Sequence, residues 1–204
     1  MLGSLFDREA DAPVNLLPYD GTVLYFGNVF PKELADPIFR RLLNEIHWKH
    51  DEVVIFGKSI ETRREVAWYG DRDFSYTYSG KTKTAALFTP LLLQLRQKTE
   101  ELTQETYNSC LLNLYHDGSE GMGYHNDREK DLAKHHAIAA LSFGAERRFC
   151  FRHRITKEKK ELFLEHGSLL VMKDEIQDYW LHSLPEARKI VQPRVSLTFR
   201  KVAE

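Results

Sequence analysis

From Ser109 onward the sequence breaks into short runs in which polar and apolar residues alternate. They lie at about 109–116, 137–143, 147–153, 161–164, 168–173, 178–183 and 193–201. Alternation at period two sends successive side chains to opposite faces of a strand, so this half of the chain reads as half-buried sheet. Two helical stretches come earlier. One begins near Pro31, with Leu34, Ile38, Leu42 and Ile46 at four-residue spacing on its apolar face. Because Pro37 falls within its first turns, an alternative start lies near Asp36, which would cap the helix with Pro37 in its first position. The other has Thr89 as cap, Pro90 at its first position, and Leu91, Leu95 and Leu102 on one stripe. Residues 23–30 form a further apolar, aromatic strand. Two helices and seven or so strands predict an α+β domain, in which the helices back a double-stranded β-helix, or jelly roll.

At 204 residues the chain is long enough for one substantial core and too short for two comfortable ones, so residues 1–204 are expected to form a single domain. Residues 1–20, with Pro13 and Pro18 and no clear periodicity, read as an extended arm, and 105–202 as the jelly-roll core. No run of about 18 apolar residues is present, which argues against a membrane span. The N-terminus lacks the basic-then-apolar layout of a secretory signal. Cys110 and Cys150 both fall in strand-like runs and are expected to be reduced core residues of an intracellular protein. A net charge of −1 gives no overall pull towards nucleic acid, so any such binding must use a local basic face.

Two stretches carry chemistry. In Tyr124-His125-Asn126-Asp127 the imidazole and carboxylate stand two residues apart and leave an extended chain on the same side. With a distant histidine, His182, they would make a 2-His-1-carboxylate face that leaves metal positions open for substrate and O2. H-x-D alone is a common solvated loop. The C-terminal run Pro193-Arg-Val-Ser-Leu-Thr-Phe-Arg-Lys201 makes it more specific. There Arg194, Ser196, Thr198 and Arg200 share one face and Val195, Leu197 and Phe199 the other. The plain alternative is an amphipathic edge strand with a solvated outer face. The chemical one is a pair of guanidiniums gripping a dicarboxylate through charge-assisted bonds. Together, metal face and clamp are the equipment of an Fe(II)- and 2-oxoglutarate-dependent oxygenase.

Between the helices, Val53-Val-Ile-Phe-Gly57 leads to Glu61-Thr-Arg-Arg64, then Trp68-Tyr-Gly-Asp71 and Tyr76-Thr-Tyr-Ser-Gly80. This is a strand-turn-strand pattern, and an ordinary hairpin explains it. An apolar Ile-Phe tip also suits a wedge pushed between stacked bases.

These pieces, with Asn113-Leu-Tyr-His-Asp-Gly, Ser142-Phe-Gly-Ala, Phe149-Cys-Phe-Arg-His, His166-Gly-Ser-Leu-Leu and His182-Ser-Leu-Pro, occur in an order and spacing that resemble the AlkB family of DNA- and RNA-repair dioxygenases. The likeness runs from about residue 22 to 202 and is strongest to the second mammalian member, which repairs duplex DNA. It implies oxidative demethylation of bases such as 1-methyladenine and 3-methylcytosine, with Fe(II), 2-oxoglutarate and O2, releasing formaldehyde, succinate and CO2. It implies Fe(II) on His125, Asp127 and His182. It places 2-oxoglutarate against Asn113, Tyr115, Arg194, Ser196, Thr198 and Arg200, with Arg194 on the distal carboxylate and Arg200 towards the keto-acid end. It makes residues 50–80 a nucleotide-recognition lid, with Phe56 as the finger that fills the gap left by a flipped base. Tyr76 and Tyr78, with His125, would enclose that base, and Arg64 and Glu129 would lie nearby. Arg147, Arg148, Arg152, Arg154, Lys157, Lys159 and Lys160 could track phosphates.

Three positions depart from the family pattern. Ser196 replaces an asparagine, Arg128 an acidic residue, and Ala187-Arg188-Lys189 holds one basic residue fewer than three. They bear on cosubstrate affinity, base preference and grip on the complementary strand. The expected partner is alkylated DNA, double-stranded by resemblance, with single-stranded DNA or RNA as further candidates. The expected state is a monomer, cytoplasmic or, in a eukaryote, nuclear. The same metal face also serves oxygenases of proteins and small molecules. Such an enzyme would not need the Val53–Gly57 hairpin and the Tyr76/Tyr78 pair. A non-catalytic nucleic-acid-binding domain would leave the ligand set unexplained.

Overall fold

The computed structural model describes residues 13–203 apart from 56–57, 79–80 and 128–131; for 51–55, 58–60, 76–78 and 81–83 it describes the backbone alone. In chain order the elements are β1 (Thr22–Asn28), α1 (Lys32–Glu45), β2 (Lys49–Ile55), β3 (Lys58–Gly70), β4 (Ser75–Tyr78), β5 (Lys81–Thr84), β6 (Ala86–Leu87), α2 (Pro90–Thr103), β7 (Ser109–Tyr115), β8 (Met122–His125), β9 (Ile138–Gly144), β10 (Arg147–His153), β11 (Lys159–Leu164), β12 (Ser168–Lys173), the single-turn α3 (Ile176–Tyr179), β13 (Trp180–Leu184) and β14 (Arg194–Arg200). Two sheets form the jelly roll. The larger runs β1-β12-β9-β14-β7-β3-β2, with β6 beside β3; the smaller runs β11-β10-β13-β8. A separate hairpin pairs β4 with β5.

The alternation seen in the sequence becomes two apolar layers. On one side of the large sheet, Leu112, Leu141, Val171, Val195, Leu197 and Phe199 pack against Leu42 of α1 and Leu92 and Leu95 of α2. On the other, Val23, Ile138, Leu170 and Met172 meet Phe151, Leu164, Ile176 and Trp180 beside the small sheet. Leu17 of the arm is buried in that second layer.

β14 is not an edge strand. It lies between β7 and β9, hydrogen-bonded on both sides. Its polar face is therefore enclosed within the roll instead of solvated. Part of the 50–80 segment is likewise structural, since Glu65–Gly70 of β3 pairs with β7 in the large sheet.

Helix α1 starts earlier than its proline suggested. Pro31 stands at the cap and its carbonyl accepts from the N–H groups of Leu34 and Ala35, both at 2.9 Å. Pro37 lies inside the helix, where its ring costs one backbone bond. Asp36, instead of capping, pairs with Lys32 and His166. The four-residue spacing also drifts by about 40° per step, because four residues exceed one helical turn. Leu42 is fully buried, whereas Leu34 is 58% exposed and Ala35 takes its place in the core. The α2 expectations hold: Thr89 accepts from the Leu92 N–H, and Pro90 is the first residue. Both cysteines are free and buried. Among the described residues no helix is long and apolar enough to cross a membrane.

Candidate active site

The two histidines reach each other through strand register. β8 and β13 are antiparallel neighbours, and His125 stands directly opposite His182. Asp127 follows β8 by two residues and turns into the same space. One ligand atom from each of the three lies within 4.8 Å of the others. His182 Nε2 is 3.5 Å from Asp127 Oδ2, and the two imidazole centroids are 4.3 Å apart.

The protonation states suit a cation. His125 Nδ1 lies 2.8 Å from the Gly123 carbonyl, so Nδ1 donates there and Nε2 is the nitrogen left to face a metal. Burial pushes the His182 pKa down to about 4, against the pull of Asp127, so its imidazole is neutral at physiological pH. Burial works to raise the Asp127 carboxyl, but Arg200, with His182 and His125, more than offsets it and holds the group below the usual range. A buried carboxylate and two imidazoles, converging from one side, match the donor set of a facial triad.

The cavity continues from the triad across the inner face of the large sheet. About 210 Å³ in volume, it is lined by His125, Asp127 and His182 and by Asn113, Tyr115, Arg194, Ser196, Thr198 and Arg200. Register explains the grouping: on β14, Arg194 sits beside Tyr115, Ser196 between Asn113 and Ser142, and Thr198 between Leu111 and Ala140. Phe149, Leu164, Met172 and Leu184, with Leu111, Met122 and Ala140, form the apolar part of the wall.

The two arginines of β14 differ in their partners. Arg200 donates to Asp127 Oδ1 at 2.8 Å, so it braces the carboxylate of the candidate triad. Arg194 donates from Nη2 to Ser142 Oγ at 2.9 Å, and its buried Nε has no hydrogen-bond partner. Among the described residues no carboxylate pairs with it. Burial lowers its pKa to about 10, countered by Tyr115, so it remains a cation. A buried cation with a donor to spare, facing a cavity that holds a metal triad, fits the far carboxylate of a short dicarboxylic acid.

A family model described as the 2OG-Fe(II) oxygenase superfamily matches residues 22–200. The chain is 41% identical over 197 residues to DNA oxidative demethylase ALKBH2 of Mus musculus, covering 91% of this chain and 80% of that protein. It is 35% identical over 210 residues to alpha-ketoglutarate-dependent dioxygenase alkB homolog 3 of Homo sapiens, covering 97% and 72%. The chain belongs to the AlkB family of 2OG-Fe(II) oxygenases. The solved structure of OsALKBH1 has the same fold, with a TM-score of 0.57 at 14% identity over 91% of this chain and 99% of that one. As a family member this chain is a dioxygenase that uses Fe(II), 2-oxoglutarate and O2.

The substrate side of this AlkB-family site is only partly described. Phe56 and Glu129 lie outside the described residues. Tyr76 and Tyr78 are on β4, opposite Lys83 and Lys81, with their side chains outside the description. Arg64 is half-buried on β3 and close enough to Tyr115 for its charge to act on that phenol. Arg128 is also outside the described residues. Ala187 packs on the loop after β7, its N–H donating to the Gly118 carbonyl, while the Gly118 N–H donates to the Ile190 carbonyl; Arg188 is exposed and pairs with Glu186.

One basic residue expected on a phosphate-tracking surface is not on the surface. Arg147 is 1% exposed, its guanidinium donating to the carbonyls of Glu120 and Pro185, both at 2.8 Å, and Asp117 at 3.4 Å. It ties the loop after Tyr115 to the loop after His182. Arg148, Arg154, Lys157 and Lys159 are exposed, and Arg152 lies over the Tyr124 ring at 4.0 Å. One further residue of the site, Gln177, carried no sequence signal. Gln177 Oε1 accepts from the Asp127 N–H at 2.9 Å, and the Gln177 carbonyl accepts from Asn126 Nδ2 at 3.0 Å. Its contacts reach residues 50 and 51 positions away, each through a main-chain atom, which no local pattern announces.

Proposed function

We propose that this protein removes N-linked methyl groups from DNA bases such as 1-methyladenine and 3-methylcytosine, acting as a monomer on duplex DNA. The observation that carries this reading is the single cavity shared by the His125–Asp127–His182 triad and the buried Arg194. The identity to proteins named DNA oxidative demethylase supports the substrate class.

Fe(II) would be held by His125, Asp127 and His182, and with 2-oxoglutarate and O2 it supplies the oxidation of a methyl carbon that then departs as formaldehyde. Arg194 holds the distal carboxylate of the cosubstrate, with Asn113 and Tyr115 beside it. Arg200 fixes Asp127 so that one carboxylate oxygen stays committed to the protein and the other faces the metal. Phe149 stacks on His182 at 5.5 Å between centroids, helping to keep the imidazole oriented and water out.

Residues 50–80 serve as the nucleotide-recognition lid of one domain, with Tyr76 and Tyr78 around the flipped base and Phe56 as the finger. A base must leave the stack before its Watson–Crick edge can react, at a cost of about a few kcal/mol in a duplex and much less in a single strand. The test incubates the protein with Fe(II), 2-oxoglutarate, ascorbate and oligonucleotides carrying 1-methyladenine, following base mass and formaldehyde. Repair of duplex substrate is expected, and Phe56→Ala should slow it by about tenfold or more, equivalent to roughly 1.4 kcal/mol. Repair of the single-stranded oligonucleotide should barely change. Equal losses on both would make Phe56 a packing residue, and no formaldehyde from either would reject the substrate class.

A further inference from the structure

The metal ligand Asp127 is supported from behind by an element that has no ligand of its own. The single-turn helix α3 places Gln177 so that both its backbone and its side chain act on the H-x-D loop. The carbonyl takes the Asn126 amide, and Oε1 takes the Asp127 N–H. One bond holds the peptide N–H that leads into the Asp127 Cα and the other holds the Asn126 side chain just before it, and together they set the direction in which the carboxylate leaves.

α3 is itself held on several sides. Arg154 donates to the Asp178 carbonyl at 2.9 Å, and its N–H donates to the Tyr179 carbonyl at 2.7 Å. His135 Nε2 lies 3.0 Å from Asp178 Oδ2. Beneath it runs the N-terminal arm. Trp180 Nε1 donates to the Tyr19 carbonyl, and buried His153 pairs with Asp20. Gly21, at φ +132°, lies so close that a Cβ there would come within 2.6 Å of the Ile176 Cα.

We infer that Gln177 is a positioning residue for the metal, holding Asp127 in ligand geometry, and that the arm at residues 19–21 is its backstop. This rests on the reading of His125, Asp127 and His182 as the metal ligands. Groups that orient a ligand commonly change metal affinity by about 10- to 100-fold when removed. A glutamine accepting from a main-chain N–H needs only its oxygen, so Glu at 177 preserves the bond and Met does not.

The test measures Mn(II) affinity by electron paramagnetic resonance, without cosubstrate or DNA, and monitors folding by thermal unfolding. Wild type should bind one Mn(II) and Asp127→Ala none; a wild type that binds none, or an Asp127→Ala that binds as well, overturns the ligand assignment instead of this inference. Gln177→Met should weaken Mn(II) binding by about tenfold or more, and Gln177→Glu should stay within about threefold of wild type. Gln177→Ala serves if the methionine variant does not fold, since a half-buried residue beside open space loses little packing. Gly21→Ala should weaken Mn(II) binding too, by pushing α3 off the loop. Unchanged affinity in folded Gln177→Met, or an equal loss in Gln177→Glu, overturns the role assigned to Oε1. Unchanged affinity in Gly21→Ala overturns the backstop.

Discussion

Arg194 and Arg200 are two residues of one type on one strand face, and their surroundings give them different work. Arg200 already has its carboxylate, Asp127, so removing it would strand a buried anion between the two histidines of the candidate triad. Arg194 has a serine hydroxyl and an aromatic face, Tyr115 at 5.6 Å, and keeps its charge without an anion. Truncating one side of a buried charge pair typically costs about 2–5 kcal/mol. Arg194→Ala is therefore expected to raise the KM for 2-oxoglutarate by about thirtyfold or more, since roughly 1.4 kcal/mol is tenfold. The KM for the oligonucleotide should move little, and steady-state titration of each substrate separates the two. A parallel rise in both would place Arg194 in general packing. Much of this was legible beforehand, because H-x-D and the 194–200 alternation are local patterns whose geometry follows from strand pleat. The division of labour was not legible in the strand itself, although the family resemblance sent the two arginines to opposite ends of the cosubstrate. It depends on which distant residue, Ser142 or Asp127, folding brings to each guanidinium.

The elements that carry the site are ordinary until their neighbours are known. Alternation in β14 fixed which side chains share a face, yet an edge strand and a central strand have the same alternation. Pairing with β7 on one side and β9 on the other decides that the polar face is a cavity wall. The reverse happened in α1, where a tidy four-residue series holds for Ile38, Leu42 and Ile46 but fails at its N-terminal end. Leu42 is fully covered and Leu34 mostly exposed. Leu42→Ala should accordingly cost about 2–5 kcal/mol of stability, whereas Leu34→Ala should stay within about 0.5 kcal/mol. Urea unfolding with a common slope gives both numbers. Similar losses would mean that helix propensity, and not burial, governs this face. The short α3 had no signal at all: a four-residue turn is too brief for periodicity, and residues 178–183 read simply as strand.

At the scale of the whole molecule, two kinds of electrostatics coexist on a chain of net charge −1. The cosubstrate charge is expected to meet Arg194 inside the roll, 3% exposed, where mobile ions do not reach. The phosphates of DNA would meet solvent-exposed cations such as Arg148, Lys157 and Lys159 on the small sheet and its β10–β11 turn, which salt screens. With Arg147 withdrawn into the interior, this surface offers only a few cations, and Arg148 is already shared with Glu161 at 3.4 Å. Each phosphate neutralised adds about 0.9 to the slope of log affinity against log salt on duplex DNA. Three contacts give a slope near −3, so raising salt about fourfold should weaken DNA binding by roughly 40-fold. The KM for 2-oxoglutarate should change by less than about twofold over the same range, because a buried pair is screened far less. Measuring both constants across one salt series tests the partition directly. If the two rise together, the Arg194 end of the cavity is open to solvent ions. If neither rises, DNA is held by contacts other than phosphate, and the lid of residues 50–80 would have to supply most of the affinity.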